Sequence, residues 1–318
     1  LAQYFARLPD PDRGLALAAI AGELRFAAAK AGLIRDLAAA RTDPVLFALS
    51  YDFVGDLAET VALVWPAAAS NAAPPGLAEV VAALQLTPKA LLPELVAGWL
   101  DACDAGTRLA LLKLVTGGLR VGATGRLARL ALAEFSAGRA SAEDIEEVWH
   151  SLAPPYLPLF AWLEGRCDRP DPAEAPVFRP PMLAHPLEPA DMAKLDPATL
   201  RAEWKWDGIR VQLVATAGGR RLYSRGAEDI SAAFPEIIAA MDFAGVLDGE
   251  LLVVRDGAVA PFADLQRRLN RKSVGAKLMS EFPAAVRLYD LLFDGTDDIR
   301  ALPFDARRTR LEAWFAQT

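Results

Sequence analysis

The run Ala202-Glu203-Trp204-Lys205-Trp206-Asp207-Gly208-Ile209-Arg210 places an acid, two tryptophans, a lysine, an Asp-Gly pair and an arginine on one short stretch. That combination suits a lysine that attacks a nucleotide phosphate. A free lysine has a pKa near ~10.4, so at neutral pH it is almost wholly protonated and not nucleophilic. Flanking Trp204 and Trp206 could supply an apolar wall that disfavours the ammonium, and Arg210 would add like-charge repulsion. Asp207-Gly208 is expected to turn tightly after a strand carrying Lys205, with a carboxylate close to the amine. The plainer alternative is a lysine on an edge strand beside a hairpin turn.

Three further runs follow in order. Tyr223-Ser224-Arg225-Gly226-Ala227-Glu228-Asp229 comes about one hairpin later, Leu247-Asp248-Gly249-Glu250 closes another strand, and Leu288-Tyr289-Asp290-Leu291-Leu292-Phe293-Asp294-Gly295 another. Each alone is weak, since Asp-Gly-Glu by itself is a turn. Together and in register, the four resemble the motifs of the ATP-dependent DNA ligases, within the lysine-dependent nucleotidyltransferases that also include RNA ligases and capping enzymes.

The resemblance implies a chemistry. In that family a lysine attacks the α-phosphate of ATP, expels pyrophosphate and becomes lysyl-AMP; AMP then passes to the 5′-phosphate of a nick, and the 3′-hydroxyl displaces it. Lys205 matches the nucleophile and Glu203 the acid that recognises the adenine amino group. Arg210 matches the arginine near ribose and phosphate, and Arg225 a second arginine serving nucleotide and nicked strand. Glu250 matches the carboxylate that binds the ribose hydroxyl and assists the metal. Tyr289 matches the aromatic stacked on adenine, a role its π-face preserves. ATP and Mg²⁺ are the expected cofactors, because the phosphates need neutralising in the transition state. Nicked double-stranded DNA is the expected partner, in repair, recombination or replication. The family's later motifs and its OB-fold do not follow Gly295. The chain is therefore expected to be a ligase cut within its nucleotidyltransferase domain and unable to seal nicks as it stands.

The elements that must position these residues fall into two halves. Residues 1 to about 165 read as helices, with Ala16, Leu17, Ile20 and Leu24, and again Leu57, Val61, Val64 and Trp65, at helical spacing. Asp12 and Asp43 stand at helix starts, Pro44 at a first helical position, and Ser141-Ala142-Glu143-Asp144 opens another helix. Further helices are predicted over 88–103 and 106–115, with a linker over 67–76. Prolines then cluster from Pro154 to Pro181, and the period changes to two. Strands are predicted over 210–214, 221–224, 246–254 and 285–293, with a hairpin at Gly218-Gly219 and helical inserts over 235–241 and 264–271. A last helix is expected over 307–315. The fold class is multidomain: an all-α DNA-binding domain over 1–168, then an α+β, mostly antiparallel adenylation domain over 169–318, incomplete at the carboxy terminus.

Composition bounds the rest. A length of 318 residues, 53% hydrophobic and 24% charged, describes globular domains with ample core. No long apolar run reads as a membrane span or signal peptide, and a cytoplasmic monomer is expected. Two cysteines, Cys103 and Cys167, are expected to be small buried hydrophobes, and neither they nor His150 and His185 fall at metal-ligand spacing. Net charge is −7, which at first sight argues against nucleic acid. Locally, however, residues 101–140 carry Arg108, Lys113, Arg120, Arg126, Arg129 and Arg139 against Asp101, Asp104 and Glu134. Within this stretch, Leu111 to Gly122 resembles the helix–Gly–Leu-Arg-Val-Gly signature of the ligases' helical DNA-binding domain. There the Gly117-Gly118 turn is expected to bring backbone N–H groups to phosphate, with Arg120 and Gly122 beside them. A solvated helix face and a tight helix–helix turn would explain the same residues.

Two alternatives stay open: a DNA-binding module without ligase activity, and an RNA ligase or capping-type enzyme. A P-loop kinase is disfavoured by the lack of a Gly-x-x-x-x-Gly-Lys-Ser/Thr run.

Overall fold

The computed structural model describes residues 1–318 except 25, 27, 67–71, 173–174, 185, 270, 272 and 317–318. Part of the expected 67–76 linker, His185 and one residue of the 264–271 insert therefore lie outside the described residues. The chain divides into two compact units, Leu1–Glu146 with Leu152–Pro170, and Glu147–Ser151 with Asp171–Thr318. No helix among the described residues is long and apolar enough to cross a membrane.

The first unit is helical: α1 (Ala2–Arg7), α2 (Asp12–Ala21), α3 (Ala31–Arg41), α4 (Pro44–Val54), α5 (Leu57–Val64), α6 (Leu77–Leu86), α7 (Leu92–Ala102), α8 (Ala105–Thr116), α9 (Gly125–Phe135), α10 (Ala142–Trp149, whose last turn groups with the second unit) and α11 (Leu157–Leu163). Local chemistry sets the ends. Asp43 caps α4 by accepting from the N–H groups of Val45 and Leu46 at 2.9 and 2.8 Å. Asp56 caps α5, and Asp104 caps α8 through Thr107 N–H at 2.7 Å. Ser141 and Asp144 cap each other reciprocally at the start of α10. Ile34, Val61, Leu92, Leu100, Leu112, Leu132, Ile145 and Phe160 are fully buried between the helices. Arg13 is buried among them with both Asp10 and Glu164 as partners, its guanidinium 4.4 Å from the Phe160 ring. Leu24 lies beyond α2, because Gly22 in the left-handed region ends that helix.

The second unit is an antiparallel sheet in the order β2-β1-β3-β5-β6: β1 (Ile209–Thr216), β2 (Gly219–Ser224), β3 (Gly245–Arg255), β5 (Ala284–Asp294) and β6 (Asp297–Asp298), with β4 (Ala258–Val259) paired to the end of β3. The β1–β2 hairpin closes at Gly219, whose φ of 133° requires a residue without Cβ. One face is apolar: Val211, Leu213, Leu222, Leu247, Leu251 and Leu291 pack under helices α12 (Pro235–Ala240), α13 (Phe262–Gln266), α14 (Ala276–Glu281) and α15 (Phe304–Phe315). The 264–271 insert is thus shorter than expected and begins earlier, and the last helix starts at Phe304. Arg268, fully buried, ties α12 down through both oxygens of Glu236 and the carbonyls of Ala233 and Phe282. The opposite face alternates with the first, as the period of two demands, and carries Arg210, Gln212, Asp248 and Glu250. Asp248-Gly249-Glu250 lies in the middle of β3 rather than at a strand end.

Candidate active site

The lysine does not sit on a strand. Residues 200–206 have no regular structure, Asp207 and Gly208 form a bend, and β1 begins only at Ile209. The Asp-Gly pair therefore precedes the strand, the reverse of the expected order. Gly208 is fixed by close approach: a Cβ there would lie 2.4 Å from the Leu251 carbonyl oxygen and 2.9 Å from Glu250 Cγ. That approach brings its N–H to the Glu250 carboxylate, as an acceptor on the neighbouring strand. The expected apolar wall around Lys205 is not formed. Trp204 is 84% exposed and Lys205 is exposed, because a segment without strand partners cannot bury both flanking rings. Trp206 is half-buried instead, under the Arg287 guanidinium 4.1 Å from its ring centroid.

Side-chain ties hold the segment where ladder hydrogen bonds are missing. Arg201 Nη2 meets Asp305 Oδ1 at 2.9 Å, and Arg308 Nη1 reaches Glu203 Oε1 at 3.5 Å, both partners coming from α15. Glu203, Trp204, Trp206, Arg287, Tyr289 and Arg308 line one cleft of about 450 Å³. Glu203 and Tyr289, the two expected base contacts, are therefore brought together.

A bulge presents Tyr289. In the β3–β5 ladder Asp248 pairs with Asp290 and Gly249 with Leu288, so Tyr289 is the extra residue. Gly249 makes room opposite, since a Cβ there would meet Val286 Cγ1 at 2.6 Å and the Arg287 oxygen at 2.8 Å. Burial pushes the Tyr289 hydroxyl well above the ordinary phenol range, so the ring enters the site neutral, with Arg210 5.9 Å from its centroid.

Arg210, Glu250 and Arg287 stand in register across β1, β3 and β5. Arg210 is anchored rather than free: Nη2 donates to Asp248 Oδ2 and, at 2.9 Å, to the Met182 carbonyl, while its buried Nε has no partner among the described residues. Burial raises the Glu250 carboxyl, opposed by the Gly208 N–H and by the charges of Lys205 and Arg210. Those opposing influences put the lysine, the arginine and the carboxylate within electrostatic reach of one another. Arg225 lies exposed on the turn after β2 and is not among the residues that line the cleft. No group of three or more His, Cys, Asp or Glu residues among the described ones could hold a metal alone.

Several partners escaped the sequence reading. Asp248 and Gln212 are buried to 1% and 2% exposure, and Gln212 pairs both amide groups with the Arg179 backbone at 2.7 and 3.0 Å. A glutamine inside the apolar run of β1 was a readable signal. Arg287 and Arg308 gave none, since their partners lie far along the chain.

The helical unit gives a different result. Gly117, with φ of 73°, caps α8, and the N–H groups of Gly117 and Gly118 donate back to the Leu114 and Lys113 carbonyls at 3.2 and 2.9 Å. Both amides are thus spent on the helix end and do not point to a phosphate, contrary to expectation. The basic run is also partly consumed. Arg108 is buried and donates to the Leu100 carbonyl at 2.6 Å, Lys113 pairs with Asp56 at 2.6 Å and Arg129 with Glu146 at 3.4 Å. Arg120, Gly122, Arg126 and Arg139 are exposed. Cys103 is buried as expected, but Cys167 is exposed.

Comparison with known proteins places this geometry. Residues 181–318 match the family described as the ATP dependent DNA ligase domain. A probable DNA ligase of Koribacter versatilis is 35% identical over 139 residues, covering 43% of this chain and 24% of that protein. A DNA ligase of Pyrobaculum neutrophilum is 31% identical over 214 residues, covering 63% of this chain and 35% of that protein. The second match is too long to fit within the sheet unit and reaches back through α9 at least. The ligase domain of M. tuberculosis LigD aligns at 30% identity over 36% of this chain and 37% of that one, with a TM-score of 0.30. The chain thus spans about a quarter to a third of the curated relatives it matches here. With the lysine run, the Asp-Gly-Glu strand and the bulged tyrosine all inside the matched region, residues 181–318 belong to the ATP-dependent DNA ligase domain family.

Proposed function

We propose that this protein is an ATP-dependent DNA ligase acting on nicked double-stranded DNA, in repair or replication, with Lys205 as its nucleophile. The supporting observation is the shared cleft of Glu203 and Tyr289, immediately beside Lys205, which leads into β1 where Arg210 pairs with Glu250 of β3. Adenine would stack on Tyr289 with its amino group toward Glu203. Lys205 Nζ, once it has lost a proton, would form a bond to the α-phosphorus as the bond to the pyrophosphate oxygen breaks. Arg210, held by Asp248, would face the ribose and phosphate, and Arg225 would serve nucleotide and nicked strand from its exposed turn. A divalent cation such as Mg²⁺ would neutralise phosphate charge. Glu250, with Asp207 nearby, offers the one or two carboxylates that Mg²⁺ takes when substrate oxygens and water supply the rest. In the helical unit, Arg120 would contact DNA phosphate from the turn shaped by Gly117, Gly118 and Gly122. The likeness to DNA ligases favours DNA over an RNA or capping substrate.

Intact mass spectrometry after incubation with ATP and Mg²⁺ tests the reading. One acid-labile AMP adduct is expected, absent in Lys205→Ala. An adduct undiminished in that variant would overturn the assignment.

A further inference from the structure

The cleft contains a group for which the ligation chemistry assigns no role. Arg308 projects from α15 and is pre-oriented by Glu312 on the same helix, Nε to Oε1 at 2.9 Å. Its Nη1 then reaches both base contacts at once, the Glu203 carboxylate at 3.5 Å and the Tyr289 carbonyl at 3.3 Å. One guanidinium thus spans the irregular lysine segment and the bulge of β5, two pieces that share no ladder hydrogen bonds. Three residues earlier on α15, Asp305 holds Arg201 at 2.9 Å, so the segment is pinned on both sides of Ala202. We propose that Arg308 is the positioning residue that sets base selection in this cleft, by holding Glu203 as an acceptor for an exocyclic amino group.

The reasoning rests on the nucleotide reading above and deepens it. An ionised carboxylate only accepts hydrogen bonds. With Oε1 engaged by Arg308, Oε2 remains to accept from the 6-amino group of adenine, while the 6-oxo group of hypoxanthine or guanine would meet oxygen against oxygen. Without Arg308, Glu203 sits on a segment with no backbone ladder, and no other side chain among the described residues holds its carboxylate. Freed, it can swing away from an oxo group, and the discrimination falls.

The test is titration of the 318-residue chain with ATP and with inosine triphosphate, which differ at the base in the 6-substituent and in the N1 proton that accompanies the oxo group, without divalent cation so that no adduct forms. The chain is expected to prefer ATP by about tenfold or more, as a hydrogen bond to a charged group implies. Arg308→Ala should bring the two nucleotides within about threefold of each other. Arg308→Lys, which keeps the charge and the helix, should retain part of the preference and also serves if the alanine variant does not fold. Combining Arg308→Ala with Glu203→Gln should change the ratio no further than Glu203→Gln alone, because the two act as one unit. A full ATP preference in both Arg308 variants overturns the inference while leaving the nucleotide site intact. A wild-type chain indifferent to the 6-position, or binding both nucleotides undiminished in Tyr289→Ala, overturns the inference and the cleft assignment together.

Discussion

The lysine cleft and the glycine turn of α8 were both marked by motifs, yet the fold treats them differently. In the cleft, side chains from other elements hold the marked residues in place: Arg308 on Glu203, Arg287 on Trp206, Asp248 on Arg210. At the turn, the marked groups are themselves the structural fasteners, since both glycine amides close the end of α8. A motif becomes a site when its polar groups are positioned by others and still have capacity to spare. Where they satisfy their own backbone, any ligand contact falls to a neighbouring side chain, and the exposed Arg120 is the one proposed for it.

The largest break in this comparison comes from Lys205→Ala, which should abolish AMP attachment outright while nucleotide binding persists; the ratio of adduct to unmodified mass measures it. Next is Arg307→Met. Arg307 and Asp290 form a buried two-point pair at 2.9 and 3.0 Å beneath the cleft, so removing the cation strands a carboxylate. A loss of about 3–5 kcal/mol is expected in denaturant unfolding of the sheet unit. Lys113→Ala in the helical unit removes a more exposed pair and should cost about 1 kcal/mol or less. A loss as large as that of Arg307→Met would erase the distinction.

Smaller still, Arg120→Ala should weaken DNA binding by one phosphate contact and flatten the salt dependence by about one unit of slope, with lysine adenylation untouched. Unchanged affinity across the salt titration would return the turn to a purely structural part. The smallest effect is in pH. Arg13 holds the Glu164 carboxyl below its ordinary range, so its contribution is present above that range and lost as pH falls through the lowered value. Burial raises Glu250, so its contribution is present at low pH and lost as pH rises through the raised value. Glu164→Gln should therefore destabilise most near neutrality, and Glu250→Gln should relieve the protein there. Parallel unfolding midpoints from about pH 2 to 7 would expose slopes of opposite sign, Glu164 acting below the ordinary carboxyl value and Glu250 above it; slopes of the same sign would refute the contrast.

Much of the architecture was legible because local signals dictate it. The Asp43 cap, the Ser141 start of α10, the Gly218-Gly219 hairpin and the switch from helical to alternating periodicity all appear where the sequence placed them. What was illegible depends on distant partners. Nothing near Lys205 says that its segment lies outside the sheet, since that follows from Gly208 pressing on Leu251. Nor does the Trp204-Lys205-Trp206 run reveal that one ring is left in solvent while the other is claimed by Arg287. Arg108 looked like part of a basic face but is consumed by the carbonyls of Leu100, Trp65 and Pro66, a fate only packing decides.

The bulge at Tyr289 makes the cleft depend on chain length as well as on residue type. Any substitution at 289 leaves Asp248 opposite Asp290 and Gly249 opposite Leu288, so the scaffold survives a change of side chain there. Deleting one residue between Leu288 and Asp290 instead removes this irregularity and leaves the one at Leu292, so the ladder opposite Asp248 and Gly249 has no extra residue to lean into the cleft. The aromatic platform is therefore encoded by a count, one residue more on β5 between Leu288 and Asp290 than β3 needs there. A single-codon deletion would silence it where a point mutation only alters its chemistry.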